Sequence, residues 1–268
     1  MIMTNDIQKR HHLTIHGNGE QHIIFIHGFA SSQESWSWIT PAFEADYTLI
    51  LLDLVGSGKS DKMAYQSERY QSLMGYVDDL IELCDTFQFK DLIVIGHSVG
   101  GLLGLLLANQ RPDLVRQVQV IGASPRYLNE LPAYIGGFER ENVDQILEMM
   151  ELNYAGWASY LAPVALPISE GLVQTDYIQA SFLSSDPKIT YEFLKITLLV
   201  DYRDLLKEVQ TDTVILQCSE DSFVPIEVAE YMAQEIQNSQ LHILSAKGHY
   251  PHVSHPEETI AAIKHYLK

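Results

Sequence analysis

Six short stretches of the chain are candidate strands, several of them unbroken Val/Ile/Leu runs: residues 22–27, 47–53, 91–96, 115–122, 213–218 and 240–245. A strand with one wet face alternates apolar and polar side chains. An unbroken Val/Ile/Leu run is apolar on both faces and belongs in a parallel sheet covered by helices on each side. Between these stretches, residues 72–87 and 227–237 place apolar side chains at helical spacing. Strand and helix in alternation predict the βαβ units of a doubly wound α/β fold with a mostly parallel sheet. The opening residues 11–16, ending at Gly17-Asn18-Gly19, predict an antiparallel hairpin on the sheet edge.

The alternation stops near Ser124 and resumes near Val200. Within that interval Val143, Ile146, Leu147 and Met150, then Ile189, Phe193, Ile196 and Val200, recur at three- or four-residue steps, as on helix faces. Asp186-Pro187 suits the N-cap and first turn of the last of these helices, while Pro163 and Pro167 separate earlier ones. The expected architecture is a core of residues 1–124 and 201–268 carrying a helical lid, residues 125–200, inserted after the sixth strand. The inserted segment is rich in aromatic residues, among them Tyr127, Tyr134, Phe138, Tyr154, Trp157, Tyr160, Tyr177, Phe182, Tyr191 and Phe193. Most would form the insertion's own small core, and together they predict an apolar pocket roof.

A chain of 268 residues is long enough for one large core with an inserted cap and needs no disulfides to stay folded. The only cysteines, Cys84 and Cys218, form no Cys-x-x-Cys pair, which points to buried thiols in a reducing compartment rather than a redox or zinc site. A net charge of −18, from 17 basic and 35 acidic residues, repels phosphate backbones and anionic membrane surfaces. Residues 1–12 are polar and lack the apolar core of a secretion signal, and the most apolar run, 99–108, is far short of a bilayer span. The expectation is a soluble cytoplasmic protein with no nucleic-acid and no membrane partner.

Candidate chemistry begins at Gly96-His97-Ser98-Val99-Gly100, which follows one predicted strand and precedes the helix-like residues 102–109. Gly-x-Ser-x-Gly between a strand and a helix is the signature of a nucleophile elbow, a strained turn that projects the serine hydroxyl outward. A serine hydroxyl is a poor nucleophile at neutral pH, so it needs a general base, and the base needs an acid to fix its tautomer. In sheets bearing such an elbow the order is Ser, acid, His, at the carboxyl ends of strands. Residues 213–218 are followed by Ser219-Glu220-Asp221, and residues 240–245 lead to Gly248-His249. His249 is therefore the candidate base, with Asp221 and Glu220 competing for the acid position. Val99, next to the nucleophile, offers a backbone N–H to a developing oxyanion.

Two other patterns suggest a metal site and a phosphate-binding loop, and neither is expected. His249, His252 and His255 sit three apart in the manner of metal ligands, but Pro251 and Pro256 interrupt any helix that would bring them to one face, so no metal is expected. Gly56-Ser57-Gly58-Lys59-Ser60 looks like the tail of a phosphate-binding loop, yet Asp53 stands where that motif requires glycine.

With these elements in order, the chain resembles the α/β-hydrolase superfamily over nearly its whole length. His27-Gly28-Phe29 resembles the oxyanion loop of that superfamily, which makes the Phe29 N–H the second donor, and Asp-x-x-Val-Pro at 221–225 resembles its acid loop and selects Asp221. The segments Gly-His-Ser-Val-Gly at 96–100, Ser-Pro-Arg-Tyr-Leu-Asn at 124–129, Gly-Gly-Phe-Glu at 136–139, Leu-Glu-Met-Met-Glu at 147–151, Asn-Tyr-Ala-Gly-Trp-Ala at 153–158 and Gly-His-Tyr-Pro-His-Val-Ser-His-Pro at 248–256 are similar to the RsbQ-type bacterial stress regulators, relatives of the plant karrikin and strigolactone receptors.

That resemblance implies a V-shaped four-helix lid over a closed apolar pocket, a triad of Ser98, His249 and Asp221, and cofactor-free hydrolysis of a small hydrophobic ester or lactone. It also implies a role in the general stress response with a partner phosphatase or other signalling protein. The side chains expected to line the pocket are Phe29, Tyr127, Phe138, Trp157, Phe193, Ile196 and Phe223. A metabolic carboxylesterase, a perhydrolase and a slow-turnover ligand sensor would all use the same triad.

Overall fold

The structure, a computed structural model, describes residues 4–267. Seven strands form one sheet: β1 (Thr14–Gly17), β2 (Gln21–Ile26), β3 (Tyr47–Leu51), β4 (Leu92–His97), β5 (Val115–Ile121), β6 (Asp212–Glu220) and β7 (Ser239–Lys247). Their spatial order is β1-β3-β2-β4-β5-β6-β7, parallel throughout except for β1, which runs antiparallel to β3. The period-two geometry of a strand explains the unbroken apolar runs. Along β2, Ile24 and Ile26 enter one apolar layer while Ile23 and Phe25 enter the other.

The helices outside the insertion are α1 (Thr4–Arg10), α2 (Met74–Phe87), α3 (Val99–Gln110), and later in the chain α8 (Arg203–Leu206), α9 (Ile226–Glu235), α10 (Pro251–Ser254) and α11 (Pro256–Tyr266). Helices α2, α3 and α9 feed the first layer through Leu80, Leu103 and Met232. Helix α11 and the turns at 33–43 feed the second through Ile263, Trp36 and Phe43. Among the described residues, no helix is long and apolar enough to cross a membrane.

The expected opening hairpin does not form. Residues 4–10 are helical, and β1 pairs with β3 instead of with β2, its neighbour in sequence. The Gly17-Asn18-Gly19 turn packs on the turn before β3: the Asn18 N–H donates to the Glu44 carbonyl at 3.0 Å, and a Cβ on Gly19 would collide with the Asp46 backbone. The opening stretch thus supplies one strand, and the insertion leaves the sheet after the fifth strand rather than the sixth.

The insertion contains α4 (Arg140–Leu152), α5 (Tyr154–Ala165), α6 (Leu172–Ser184) and α7 (Pro187–Leu198), all between β5 and β6. Asp186 caps α7 by accepting the N–H groups of Lys188 and Ile189, with Pro187 in the first turn. Pro163 departs from expectation: it lies inside α5 rather than between helices. It stands two residues from the end of α5, so the backbone donor it lacks is missing only in the helix's last turn.

Candidate active site

Between β4 and α3 the chain turns on Ser98 alone, which takes φ 54 and ψ −124. A positive φ is strained for any residue with a Cβ and persists only where the surroundings hold it. The Ser98 N–H donates to the Ile121 carbonyl at 2.8 Å, tying the turn to β5. Space forces the flanking glycines. A Cβ on Gly96 would collide with the Gly100 backbone, and one on Gly100 with the Ile26 and His27 carbonyls.

The loops after β6 and β7 bring two more groups to the same strand ends. His249 Nε2 accepts from Ser98 Oγ at 2.8 Å, and His249 Nδ1 donates to Asp221 Oδ2 at 2.7 Å. The other carboxylate oxygen, Oδ1, accepts the N–H groups of Phe223 at 2.8 Å and Val224 at 3.1 Å. Those bonds leave Oδ2 aimed at the imidazole. The Asp221 side chain has no solvent exposure and that of His249 has 6%, so the pair interacts with little screening by water. Glu220, the rival acid, instead pairs on the surface with Lys247 at 2.6 Å. Gly122, at the end of β5, leaves room under the ring: a Cβ there would sit 3.3 Å from His249 Cε1.

Two further histidines shape this floor. The Leu54 N–H donates to His27 Nε2 at 3.0 Å, which places the ring proton on Nδ1, and Nδ1 donates to the Gly28 carbonyl at 2.8 Å. The Gly28 C=O and the Phe29 N–H belong to one trans peptide and point in opposite directions. Holding the carbonyl therefore aims the amide. His97 Nε2 donates to the His249 carbonyl at 2.7 Å. Burial holds both imidazoles below the ordinary histidine range, His97 far below it with His252 and His249 adding to the effect, so both stay neutral. His252 packs tilted on Trp36, ring centroids 4.5 Å apart, and shares the His97 ring with His249, while His255 pairs with Ser254.

Among the described residues, the N–H groups of Phe29 and Val99 have no acceptor within the protein. Val99 is the first residue of α3, where an N–H has no intrahelical partner. The arrangement can take a proton from a hydroxyl, return it to a leaving group, and offer two amides to a developing negative charge.

Over this floor lies a narrow cavity. Of the side chains expected to line it, Phe29, Tyr127, Phe138 and Phe223 do so. Trp157, Phe193 and Ile196 do not. Trp157 is fully buried behind the wall, packed on Phe29 and Phe182 with ring centroids 6.1 and 5.4 Å away. Phe193 faces Tyr76 at 4.7 Å, on the same stripe of α7 as Ile196, while Leu194, Thr197 and Leu198 from the adjacent stripe meet the cavity. Ile146, Leu161, Ala165, Phe182 and Tyr250 complete the wall. The four-residue spacings Leu161/Ala165 and Leu194/Leu198 are the sequence signal that would have found part of it. The Tyr127 hydroxyl stands 3.5 Å from Ser98 Oγ, and burial pushes its phenol well up, so it stays protonated.

Sheet order, elbow and strand-end groups together define an α/β-hydrolase. Residues 21–256 match the family model described as alpha/beta hydrolase fold, and the chain belongs to that family. It is similar to a karrikin insensitive 2 receptor of Petunia hybrida, 32% identical over 262 residues that cover 97% of each chain. It is also similar to a strigolactone esterase of Pisum sativum, 32% identical over 95% of each. Among solved structures, a hydrolase from Oleispira antarctica superposes with a TM-score of 0.96 at 34% identity, covering 99% of this chain and 97% of the other. The protein is thus a hydrolase of the α/β fold, related to proteins named as esterases and as receptors.

Proposed function

We propose that the protein hydrolyses a small, uncharged, hydrophobic ester or lactone through Ser98, His249 and Asp221. The observation that carries this reading is the continuous pair of bonds from Ser98 Oγ to His249 at 2.8 Å and from His249 to Asp221 at 2.7 Å. Ser98 Oγ attacks the carbonyl carbon as its proton passes to His249 Nε2. Asp221 stabilises the imidazolium, and the Phe29 and Val99 amides hold the oxyanion. Collapse of the tetrahedral species expels the alkoxide, which takes the proton from His249. Water then attacks the acyl-enzyme, with His249 as base, and Ser98 is released. No step calls for a cofactor. No lysine or arginine lines the described cavity, so a carboxylate on the substrate would be buried without a counter-ion.

The stress-signalling role implied by the RsbQ-type motifs belongs to this proposal, as do a cytoplasmic location and a partner phosphatase or other signalling protein. Relatives named as receptors favour a second form of the same chemistry, in which a slowly released ligand changes the insertion and thereby the affinity for a partner. One experiment separates these readings. A panel of apolar p-nitrophenyl esters and a butenolide lactone is assayed with the intact protein and with Ser98→Ala. Many turnovers that fall about 10³-fold or more in the variant support the hydrolase. Product limited to one equivalent per protein supports the sensor, and turnover that survives the substitution excludes both.

A further inference from the structure

Two helices of the insertion reach the catalytic floor through single hydrogen bonds. At the end of α5 the Ala165 carbonyl accepts the His249 N–H at 2.7 Å. From α6, Ser181 Oγ donates to the Ala30 carbonyl at 2.8 Å. The second bond restrains an unusual residue. Ala30 takes φ 47, in the left-handed region that a side chain disfavours, and it directly follows Phe29. Among the described residues Ser181 is the one donor to that carbonyl. The loop is thus held on both sides of Phe29, by His27 at the Gly28 carbonyl in the peptide before it and by Ser181 at the Ala30 carbonyl, one peptide beyond the pair that flanks it.

We propose that Ser181 is a positioning residue: through the Ala30 carbonyl it keeps the Phe29 N–H in its donating geometry, so the oxyanion hole is complete only while α6 is seated on the floor. This inference rests on the hydrolase reading above. It also supplies a route from the cavity to the chemistry. Phe182, the next residue along α6, lines the cavity and packs against the Phe29 ring at 6.3 Å. A molecule that displaces Phe182 would move Ser181 with it and weaken the hole. A ligand small enough to leave Phe182 in place would be hydrolysed faster than one that pushes it aside.

The test uses Ser181→Ala and Ser181→Thr in the full chain, with Ser98→Ala as the control. Three quantities are read: kcat and KM on a p-nitrophenyl ester, the Kd of an alkylboronic acid that forms a tetrahedral adduct on Ser98, and amide hydrogen exchange over residues 28–31. In Ser181→Ala, kcat should fall about tenfold with KM within twofold, because a misaimed donor weakens the transition state and leaves the ground state alone. Boronate Kd should rise by the same factor, exchange over 28–31 should quicken, and Ser181→Thr should restore all three. Wild-type values throughout would overturn the proposal. So would a loss of thermal stability with kcat and KM altered together and no rescue by threonine, which is the behaviour of a residue that only packs α6. Turnover that survives Ser98→Ala overturns the hydrolase reading instead, and the exchange data still decide whether Ser181 restrains the loop.

Discussion

The floor and the roof of the cavity face the same space but are built under different constraints. On the floor, Ser98, Asp221, His249 and Phe29 stand just past the ends of β4, β6, β7 and β2, where bonds of 2.7–3.1 Å hold Ser98, His249 and Asp221 and the Cβ positions of Gly28, Gly96 and Gly100 are already occupied. On the roof, Leu161, Phe182, Leu194 and Leu198 come from helices that meet through apolar side chains. Directional bonds at strand ends tolerate almost no change of shape, whereas non-directional packing tolerates swaps of similar volume. Chemistry is thereby written into local turns, and selectivity into the way helices pack.

If the floor is that exacting, its polar groups should carry the largest effects. Asp221→Asn should lower kcat by about 10⁴-fold, since the imidazole loses both its tautomer and its counter-charge. Unfolding midpoints should barely move, and an activity assay alongside a thermal melt checks both. Gly100→Ala comes next. Its methyl meets the Ile26 and His27 carbonyls, which cannot shift without disturbing β2 and the oxyanion loop, so a loss of about 3 kcal/mol or more is expected in urea unfolding.

On the roof, Leu194→Ala should leave hydrolysis of an acetyl ester within about threefold while shifting preference about tenfold toward longer acyl chains, read as ratios of kcat/KM. An equal loss on every ester would mean that roof and floor are one rigid unit, and the comparison would fail.

The smallest effect concerns buried histidines beneath the floor. Burial holds His252 down at about 3, and His97 and His27 below the ordinary 6.5. Between these values the unfolded chain binds protons that the folded chain refuses. Stability is therefore whole above about pH 6.5 and falls as pH drops toward 3. Each unmatched proton contributes about 1.4 kcal/mol per pH unit, so His252→Phe should make the dependence shallower by up to that amount, seen in urea midpoints at pH 5 and pH 7.

The same contrast explains what could be read from the sequence. The six strands after the opening stretch, the cap of α7 at Asp186 and the elbow all depend on neighbours within a few residues, and their signals survive in the string. On the floor, strand ends and glycines point to Ser98 and His249 but leave Asp221 and Glu220 open, and it is the resemblance to α/β-hydrolases that singles out Asp221 and adds Phe29. The opening residues were misread because β1 pairs with β3, whose residues lie some thirty positions along the chain, and not with its neighbour β2. The roof was misread for a different reason. Helix α7 carries two apolar stripes, one holding Phe193 against Tyr76 and the other holding Leu194 and Leu198 over the cavity, and hydrophobicity alone does not say which stripe faces which partner. Ser181 gave no signal at all, because a serine on a helix is informative only once the Ala30 carbonyl is seen beneath it.

The central claim is that Ser98 is an activated nucleophile, and the most direct measurement is covalent capture. An alkyl fluorophosphonate is incubated with the protein at neutral pH, and the modified peptide is identified by mass spectrometry. Attack by Ser98 Oγ forms the O–P bond and expels fluoride, so the account predicts a single adduct on Ser98 that is lost in Ser98→Ala and forms far more slowly in His249→Ala. No adduct, or an adduct on another residue, would contradict it.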